Sequence, residues 1–530
     1  MQTESPPLHW PSTVVLVLAA LGLAIPTVYY GLASDDELAI LVNGMRVASG
    51  QVPYRDYFYA DGPLTHLLPA LAYLIAHPSV VAARWMQQLA LVLAAWQTQR
   101  IARWLGVNPW LACLPALLVL SCFYPRVYGV NHHWMVLPFV LMTLLAGLRA
   151  GESPRLRSWA LAGACAGLAF LCLQTDATIV MVALLAHALL GSWLGGERGL
   201  VPVKRAGAVL AGWMLPVGLA MAGLAAFGAL GAAFYDLIIW PGQHVQSGGV
   251  TNDVRYLTDL TWEIPPLDDA HLGRPMWYLR LWVYLTTMLV PISVALVSLL
   301  WGLGLIGERL AGRLAGPETR RFGLVAITAI GFGIIAVQGR ADVHHLGIDG
   351  TPAFLVLTAL VARAIATTRG AWRPVTYLPV LGLALMIAGG IATSAPMWLF
   401  EPRYLRTLGG PDLRAREDAV LAYLHAHARP GDRMVALPAG PYYYYYGLPP
   451  AVRLSSIFAR YTHFPSDALL DEFWQEVASG KARFLVVDPT AEPYMRDAFI
   501  GPPPGYHQVY TAPSFRYVGP PVRVYEFTRP

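Results

Sequence analysis

Apolar runs long enough to cross a bilayer recur along roughly the first 400 of the 530 residues, and they limit the fold more than any other feature. Inside hydrocarbon every backbone polar group needs an internal partner, so such runs become helices or closed barrels. The runs are continuous rather than alternating, which selects helices. Composition agrees: 56% of residues are hydrophobic, 13% are charged, and mean hydropathy is +0.48. The expectation is a polytopic α-helical membrane protein. About eleven spans are read at roughly 14–33, 79–99, 109–124, 134–148, 158–173, 177–194, 207–232, 281–306, 322–338, 352–367 and 375–397. Only Gln174-Thr175-Asp176 separates the fifth from the sixth.

The net charge of +5 is not a nucleic-acid footprint, because the arginines sit in short loops between apolar runs. One set of alternate loops holds Arg100 and Arg103; Arg149, Arg155 and Arg157; Arg198, Lys204 and Arg205; Arg309, Arg313, Arg320 and Arg321; and Arg363, Arg369 and Arg373. Basic residues accumulate in cytoplasmic loops, so the amino terminus is expected inside and the region after residue 398 outside. The four cysteines all lie in apolar runs, which indicates neither a disulfide framework nor a cysteine-based zinc site in the polar tail. Met1–Ser12 lacks Lys and Arg, so the first run reads as an uncleaved span.

The opposite loops carry the versatile side chains. They hold Asp35, Asp36, Glu37, Asp56 and Asp61; Arg126, His132 and His133; Asp176; the stretch 234–280; and Arg340, Asp342, His344, His345 and Asp349. Carboxylates and histidines gathered on one face imply a site at the outer membrane boundary. The segment Ser34–His66 is the densest part: three successive acids, a helix-like run, two more carboxylates, several aromatics and a Gly62-Pro63 break. It reads as a catalytic loop on the membrane surface, against the simpler reading of a solvated hairpin. The following run, 62–76, is too short to span and contains Pro69, so it reads as an interfacial helix. Tyr29, Tyr30, Trp110, Trp134, Trp240, Trp277 and Tyr278 lie at segment ends and read as interface anchors.

Two domains follow: residues 1–400 in the membrane, with outer loops 34–78 and 234–280, and residues 401–530 as an extracytoplasmic α/β domain. In the second, Asp412–Ala428 and Ser466–Ser479 read as helices, the latter capped by Ser466. Met434–Pro438 and Phe484–Val487 read as buried strands, and the alternating Val522–Phe527 as an edge strand. Tyr442–Tyr446 is read as a strand with aromatics on both faces, or else as a sugar-stacking platform.

The first outer loop resembles that of the GT-C superfamily of glycosyltransferases, nearest to the protein O-mannosyltransferase and aminoarabinose (lipid A) transferase types. The residues that carry the likeness are Asp36-Glu37 after the first span, Gly44, Gly50, and the acid-bearing loop from Asp56 to Pro63-Leu64. Those families close the loop with a double proline preceded by His or Lys; this chain has Ala60-Asp61-Gly62-Pro63-Leu64 instead. The resemblance implies an inverting transfer of sugar from a polyprenyl-phosphate carrier to an acceptor hydroxyl, at the outer face of a bacterial inner membrane. It makes Asp36 the general base, with Asp35 as the alternative and Glu37 orienting the loop or the acceptor. A helix N-cap is the competing role for Asp36.

The leaving phosphate needs cations at headgroup depth. Arg340 and Arg84 are the candidates, snorkelling being the alternative for Arg84. Asp56, Asp61, His132, His133, Asp342, His344 and His345 are candidates for substrate contact. The sequence establishes no cofactor; a divalent metal could bind at the histidine pairs with Asp342, one histidine of each pair at most, since neighbours on a helix point apart. The expected partners are the polyprenyl-phosphate-linked sugar, membrane lipids, and a glycan, lipid or protein acceptor. A transporter or lipid flippase is the alternative from another class, but no internal repeat is found. A ligase of preassembled glycans is the third reading.

Overall fold

The computed structural model describes residues 6–29, 35–76, 79–124, 129–197, 199–244, 273–338, 349–399, 418–437, 443, 450–454, 467–488, 501–513 and 521–528. The membrane part is a helix bundle: α1 (Trp10–Val28), α2 (Asp35–Ala48), α3 (Leu64–Ala76), α4 (Val80–Trp104), α5 (Leu111–Phe123), α6 (His132–Gly151), α7 (Leu156–Phe170), α8 (Gln174–Leu194), α9 (Val201–Ala226) and α10 (Leu230–Phe234). After a π turn at Tyr235–Ile239 come α11 (Gly273–Leu310), α12 (Pro317–Gln338), α13 (Thr351–Thr367) and α14 (Leu378–Leu399). Each of the eleven expected segments carries a helix. Six stretches among the described residues are long and apolar enough to cross a membrane: Trp10–Val28, His132–Gly151, Gln174–Leu194, Val201–Ala226, Leu289–Leu310 and Trp372–Ala392.

Helix α4 is not among them. It turns Arg84, Gln87, Gln88, Gln97 and Gln99 inward, all buried, so the bundle and not lipid receives its polar face. Helix α3 does the reverse. His66, Pro69 and Tyr73 are buried while Leu67, Leu71, Leu74 and Ile75 are exposed, the pattern of a one-sided apolar surface. Small residues let helices approach closely: a Cβ on Gly163 would stand 2.0 Å from the Val209 carbonyl, and one on Gly212 would stand 1.9 Å from that of Ala160, so α7 and α9 cross backbone to backbone.

Contacts sort the two ends of the bundle. Thr13, at the start of α1, donates to Gln99 at 2.9 Å, one residue before Arg100. At that end Arg321 bonds Glu152 at 2.7 Å, and Arg205 bonds Glu197. The starts of α2, α3, α6, α8 and α13 gather at the other end, as described below.

The C-terminal part holds α15 (Ala419–His427), β1 (Met434–Leu437), α16 (Asp467–Ala478), β2 (Phe484–Val487), β3 (Tyr506–Ala512) and β4 (Val522–Phe527), in one sheet of order β1-β2-β4-β3. Helix α15 starts where Asp418 accepts from Leu421 N at 2.8 Å; residues 412–417 and the expected cap Ser466 lie outside the described residues. Strand β2, buried along its whole length, pairs parallel with β1 and antiparallel with β4. Strand β4 is internal and not an edge, because β3, a strand absent from the sequence reading, pairs with it. Tyr443 is helical rather than extended; it is buried, and its hydroxyl accepts from Ala436 N at 2.8 Å. The other four tyrosines of that run lie outside the described residues.

The sheet domain docks through residues 450–454. Arg453 O accepts from Phe58 N at 3.3 Å, and Val452 O from Arg46 at 3.1 Å. Trp240 is fully buried there, edge-on to Phe58 at 5.1 Å, so it is a packing residue and not a membrane anchor. Trp134 is likewise buried, edge-on to Tyr124 at 5.3 Å. Trp110 and Tyr278 are exposed, while Tyr30 and the side chain of Trp277 lie outside the described residues.

Candidate active site

Five helix starts meet at one end of the bundle, linked by side-chain contacts. Glu37, in the first turn of α2, is fully buried and forms a two-pronged pair with Arg84, Nε–Oε1 2.8 Å and Nη2–Oε2 2.8 Å. Its Oε1 also accepts from Val130 N at 2.9 Å, just before α6. Arg84 further donates to the carbonyls of Thr27 and Val28, at 3.1 and 3.3 Å. It therefore joins the end of α1 to the start of α2. Arg84 is fully buried in this knot, bound to Glu37 and the end of α1.

Asn131 caps α6 by accepting from His133 N at 2.8 Å, which puts His132 and His133 in the first turn; their rings lie 4.4 Å apart, so the neighbours do not point apart as helix geometry alone suggests. His132 Nδ1 lies 3.3 Å from Asp61 Oδ2. His133 Nδ1 lies 3.8 Å from Asp176 Oδ2 in the first turn of α8. Asp349, at the start of α13, completes a set with His133 and Asp176 whose ligand atoms lie within 4.8 Å of one another. Among the described residues this is the set that could hold a divalent ion: a neutral imidazole nitrogen and two carboxylates are ordinary ligands for one. Helix starts carry partial positive charge, which favours these carboxylates and would favour a phosphate beside them.

The first loop is pinned into this end. Gly62 N donates to Cys172 O at 3.2 Å and Leu64 N to Leu171 O at 2.9 Å, in the turn between α7 and α8. A Cβ on Gly62 would fall 2.2 Å from the Leu171 oxygen, so the glycine that stands in place of the first loop proline is required by this approach. Gly44 does the same for the α2–α3 crossing, where a Cβ would meet Pro69 Cβ at 2.7 Å. Asp56 does not join the cluster. It closes a tight turn in which Tyr54 has φ +68°, accepting from Val52 N at 2.7 Å and pairing with Arg55 at 2.8 Å. The Arg55 hydrogen bond, above all, holds its carboxyl below the usual range.

The side chains of Asp35 and Asp36 lie outside the described residues, although α2 begins at Asp35. Arg340, Asp342, His344 and His345 lie outside them too. Asp176 and Asp349 belong to the one-sided set of acids and histidines in the sequence, without an individual role there; their signal is position, each opening an apolar helix. Asp236, in the π turn after α10, was not singled out at all. It is buried, 3.1 Å from Arg453 Nη2, and accepts from Tyr59 N at 3.4 Å, tying the sheet domain to the first loop. Burial, partly offset by Arg453, pushes its carboxyl up to about 7.

The chain is a many-helix bundle with a small sheet domain at the end that bears the buried acids and histidines. Residues 60–219, less than half the chain, match the family described as dolichyl-phosphate-mannose-protein mannosyltransferase. The fold is similar to that of ArnT from Cupriavidus metallidurans bound to undecaprenyl phosphate, with 12% identity, 98% of both chains covered and a TM-score of 0.55. The apo form of that protein matches at 11% identity, 97% coverage of both chains and a TM-score of 0.53. AglB, the archaeal oligosaccharyltransferase from Archaeoglobus fulgidus, matches at 12% identity over 92% of this chain and 70% of its own, with a TM-score of 0.49. No curated protein matches the chain in sequence. The resemblance to the GT-C superfamily read from the first loop stands with these comparisons.

Proposed function

We propose that the protein is an inverting glycosyltransferase that moves a sugar from a polyprenyl-phosphate carrier to an acceptor hydroxyl at the outer face of a bacterial inner membrane. The observation that carries the reading is the convergence of five helix starts, bearing Glu37, Asp61, His132, His133, Asp176 and Asp349, in a fold shared with a protein bound to undecaprenyl phosphate. In this reading Asp36, with Asp35 in reserve, takes the proton from the acceptor hydroxyl as the sugar's anomeric carbon is attacked. Glu37, held by Arg84 and Val130 N, fixes the start of α2 and so aims Asp36.

Arg340 holds the carrier phosphate, helped by the positive ends of the helices. Asp61 and His132 contact the sugar or the acceptor. His133, Asp176 and Asp349 are the residues that would hold a divalent ion, whose contribution would be charge on the departing phosphate. The sheet domain, residues 401–530, lies outside the membrane and clamps the first loop through Arg453, which donates to Tyr54 O and accepts from Phe58 N.

The test is reconstituted protein offered a panel of polyprenyl-phosphate sugars. The expected result is release of polyprenyl phosphate together with a product of inverted anomeric configuration. Movement of the intact lipid-linked sugar between leaflets, with no sugar released, would refute the reading in favour of a flippase.

A further inference from the structure

Tyr54 is fully buried and is the only non-glycine residue with a positive φ among the described residues. That region is costly for a bulky side chain, so the surroundings must hold it there. We propose that Tyr54 and Arg453 are positioning residues: the sheet domain fixes Tyr54, and Tyr54 fixes the backbone of Asp61 so that its carboxylate meets His132.

The path has three links. Arg453 Nη2 donates to Tyr54 O at 3.2 Å. The Tyr54 hydroxyl donates to Asp61 O at 2.8 Å. Asp61 Oδ2 then lies 3.3 Å from His132 Nδ1. Each link is held from the side. Arg453 is set by Asp236 at 3.1 Å and by Glu472 of α16 at 3.7 Å, while its own N–H donates to Glu476 of the same helix at 2.7 Å. The Tyr54 side chain packs with Leu224, Ala229 and Ala233 around the end of α9. Burial raises its hydroxyl well above the usual tyrosine range, so the group keeps its proton and remains a donor.

The backbone on either side of Asp61 is tied as well. Tyr59 N donates to Asp236 Oδ2 at 3.4 Å, and Gly62 N to Cys172 O at 3.2 Å. Asp236 therefore serves both Arg453 and the loop. Aspartate has a short side chain, so its backbone decides where the carboxylate falls. Relaxing Tyr54 to an ordinary conformation would turn its carbonyl from Arg453 and free the carbonyl of Asp61. The strained residue thus couples the docked sheet domain to one pair of the acid–histidine cluster. The role of Asp61 toward sugar or acceptor rests on the function proposed above; the linkage from Arg453 to Asp61 does not.

The experiment compares the full-length wild type with Tyr54→Phe, Arg453→Gln, Asp61→Asn and the Tyr54→Phe/Asp61→Asn double variant. Hydrogen exchange read by mass spectrometry reports on the loop peptide carrying the Gly62 and Leu64 amides. Tyr54→Phe removes one hydroxyl and leaves the ring, and should speed exchange there about tenfold, the scale of one net hydrogen bond. Arg453→Gln should speed it more. Tyr54→Phe leaves every sheet contact in place, so it decides even where Arg453→Gln also loosens β2 and β4. In sugar transfer, Tyr54→Phe should change the same kinetic parameter, kcat or KM, as Asp61→Asn, and should add nothing in the double variant. A residue that only stabilised the fold would lower transfer in both backgrounds alike. Wild-type exchange in Tyr54→Phe would overturn the linkage, and an undiminished transfer defect in the double variant would overturn positioning through Asp61. The exchange measurement needs no sugar transfer. Loss of the glycosyltransferase reading would leave the exchange rise in place, whereas loss of the linkage would abolish it.

Discussion

Replacing Arg84 with methionine should destabilise the protein more than any loss of packing volume explains. Methionine fills much of the same space but leaves the Glu37 carboxylate, fully buried, without its two 2.8 Å hydrogen bonds from the guanidinium. Removing one partner of a buried ion pair costs about 3–5 kcal/mol, because the remaining charge is stranded. The carbonyls of Thr27 and Val28 lose their donor in the same step. Glu37→Met should cost a similar amount by stranding Arg84. The double variant removes both charges and leaves Val130 N without its acceptor and the Thr27 and Val28 carbonyls without their donor, about 1–3 kcal/mol for each group left unsatisfied. The two substitutions should therefore be far from additive, with a coupling of at least about 2 kcal/mol. Equilibrium unfolding in mixed micelles, run on the wild type, both single variants and the double, measures it. Single variants costing less than about 1 kcal/mol each, or costs that simply add, would refute the buried-pair account and return Arg84 to the candidates for phosphate binding.

Two further predictions concern the first loop and its clamp. Gly62→Ala puts a methyl 2.2 Å from the Leu171 oxygen, where neither side is a flexible side chain, so sugar transfer should fall at least about tenfold while the sheet domain stays folded; wild-type turnover would show that the loop is not held there. Asp236 has its carboxyl raised from 3.8 to about 7 by burial, so the folded state holds a proton that the unfolded state releases. The stability it contributes is full below about pH 4 and is lost as pH rises through about 7; melting temperature should fall across that window in the wild type and much less in Asp236→Asn, and identical slopes would refute it.

Much of the fold was legible in the sequence because apolar run length and arginine placement are local signals, and β2 and β4 appear with the expected bounds. Burial of α4 was not legible: its Arg84, Gln87 and Gln88 look like a weak span until their partners, Glu37, Gly129 O and Tyr124, are brought in from elsewhere in the chain. Strand β3 escaped for a related reason, since four of its seven residues face outward and its pairing with β4 is interrupted between Gln508 and Tyr510. The acids and histidines were found as a one-sided set. Which of them meet was not readable, because Asp61–His132 and His133–Asp176–Asp349 are tertiary pairings between separate helices. Asp56 shows the converse: a carboxylate in the right stretch whose local turn uses up its oxygens.

The central claim is that a carboxylate at the start of α2 acts as the base of a sugar transfer. The most direct test is single-turnover transfer from a polyprenyl-phosphate sugar by wild type and Asp36→Asn, with carrier binding measured alongside. Asparagine keeps the shape and the capping capacity of aspartate while removing its basicity. The rate should drop by about 10²–10⁴ with carrier affinity unchanged. Transfer at the wild-type rate would contradict the account, reducing Asp36 to a helix cap and moving the search for the base to Asp35 or Asp61.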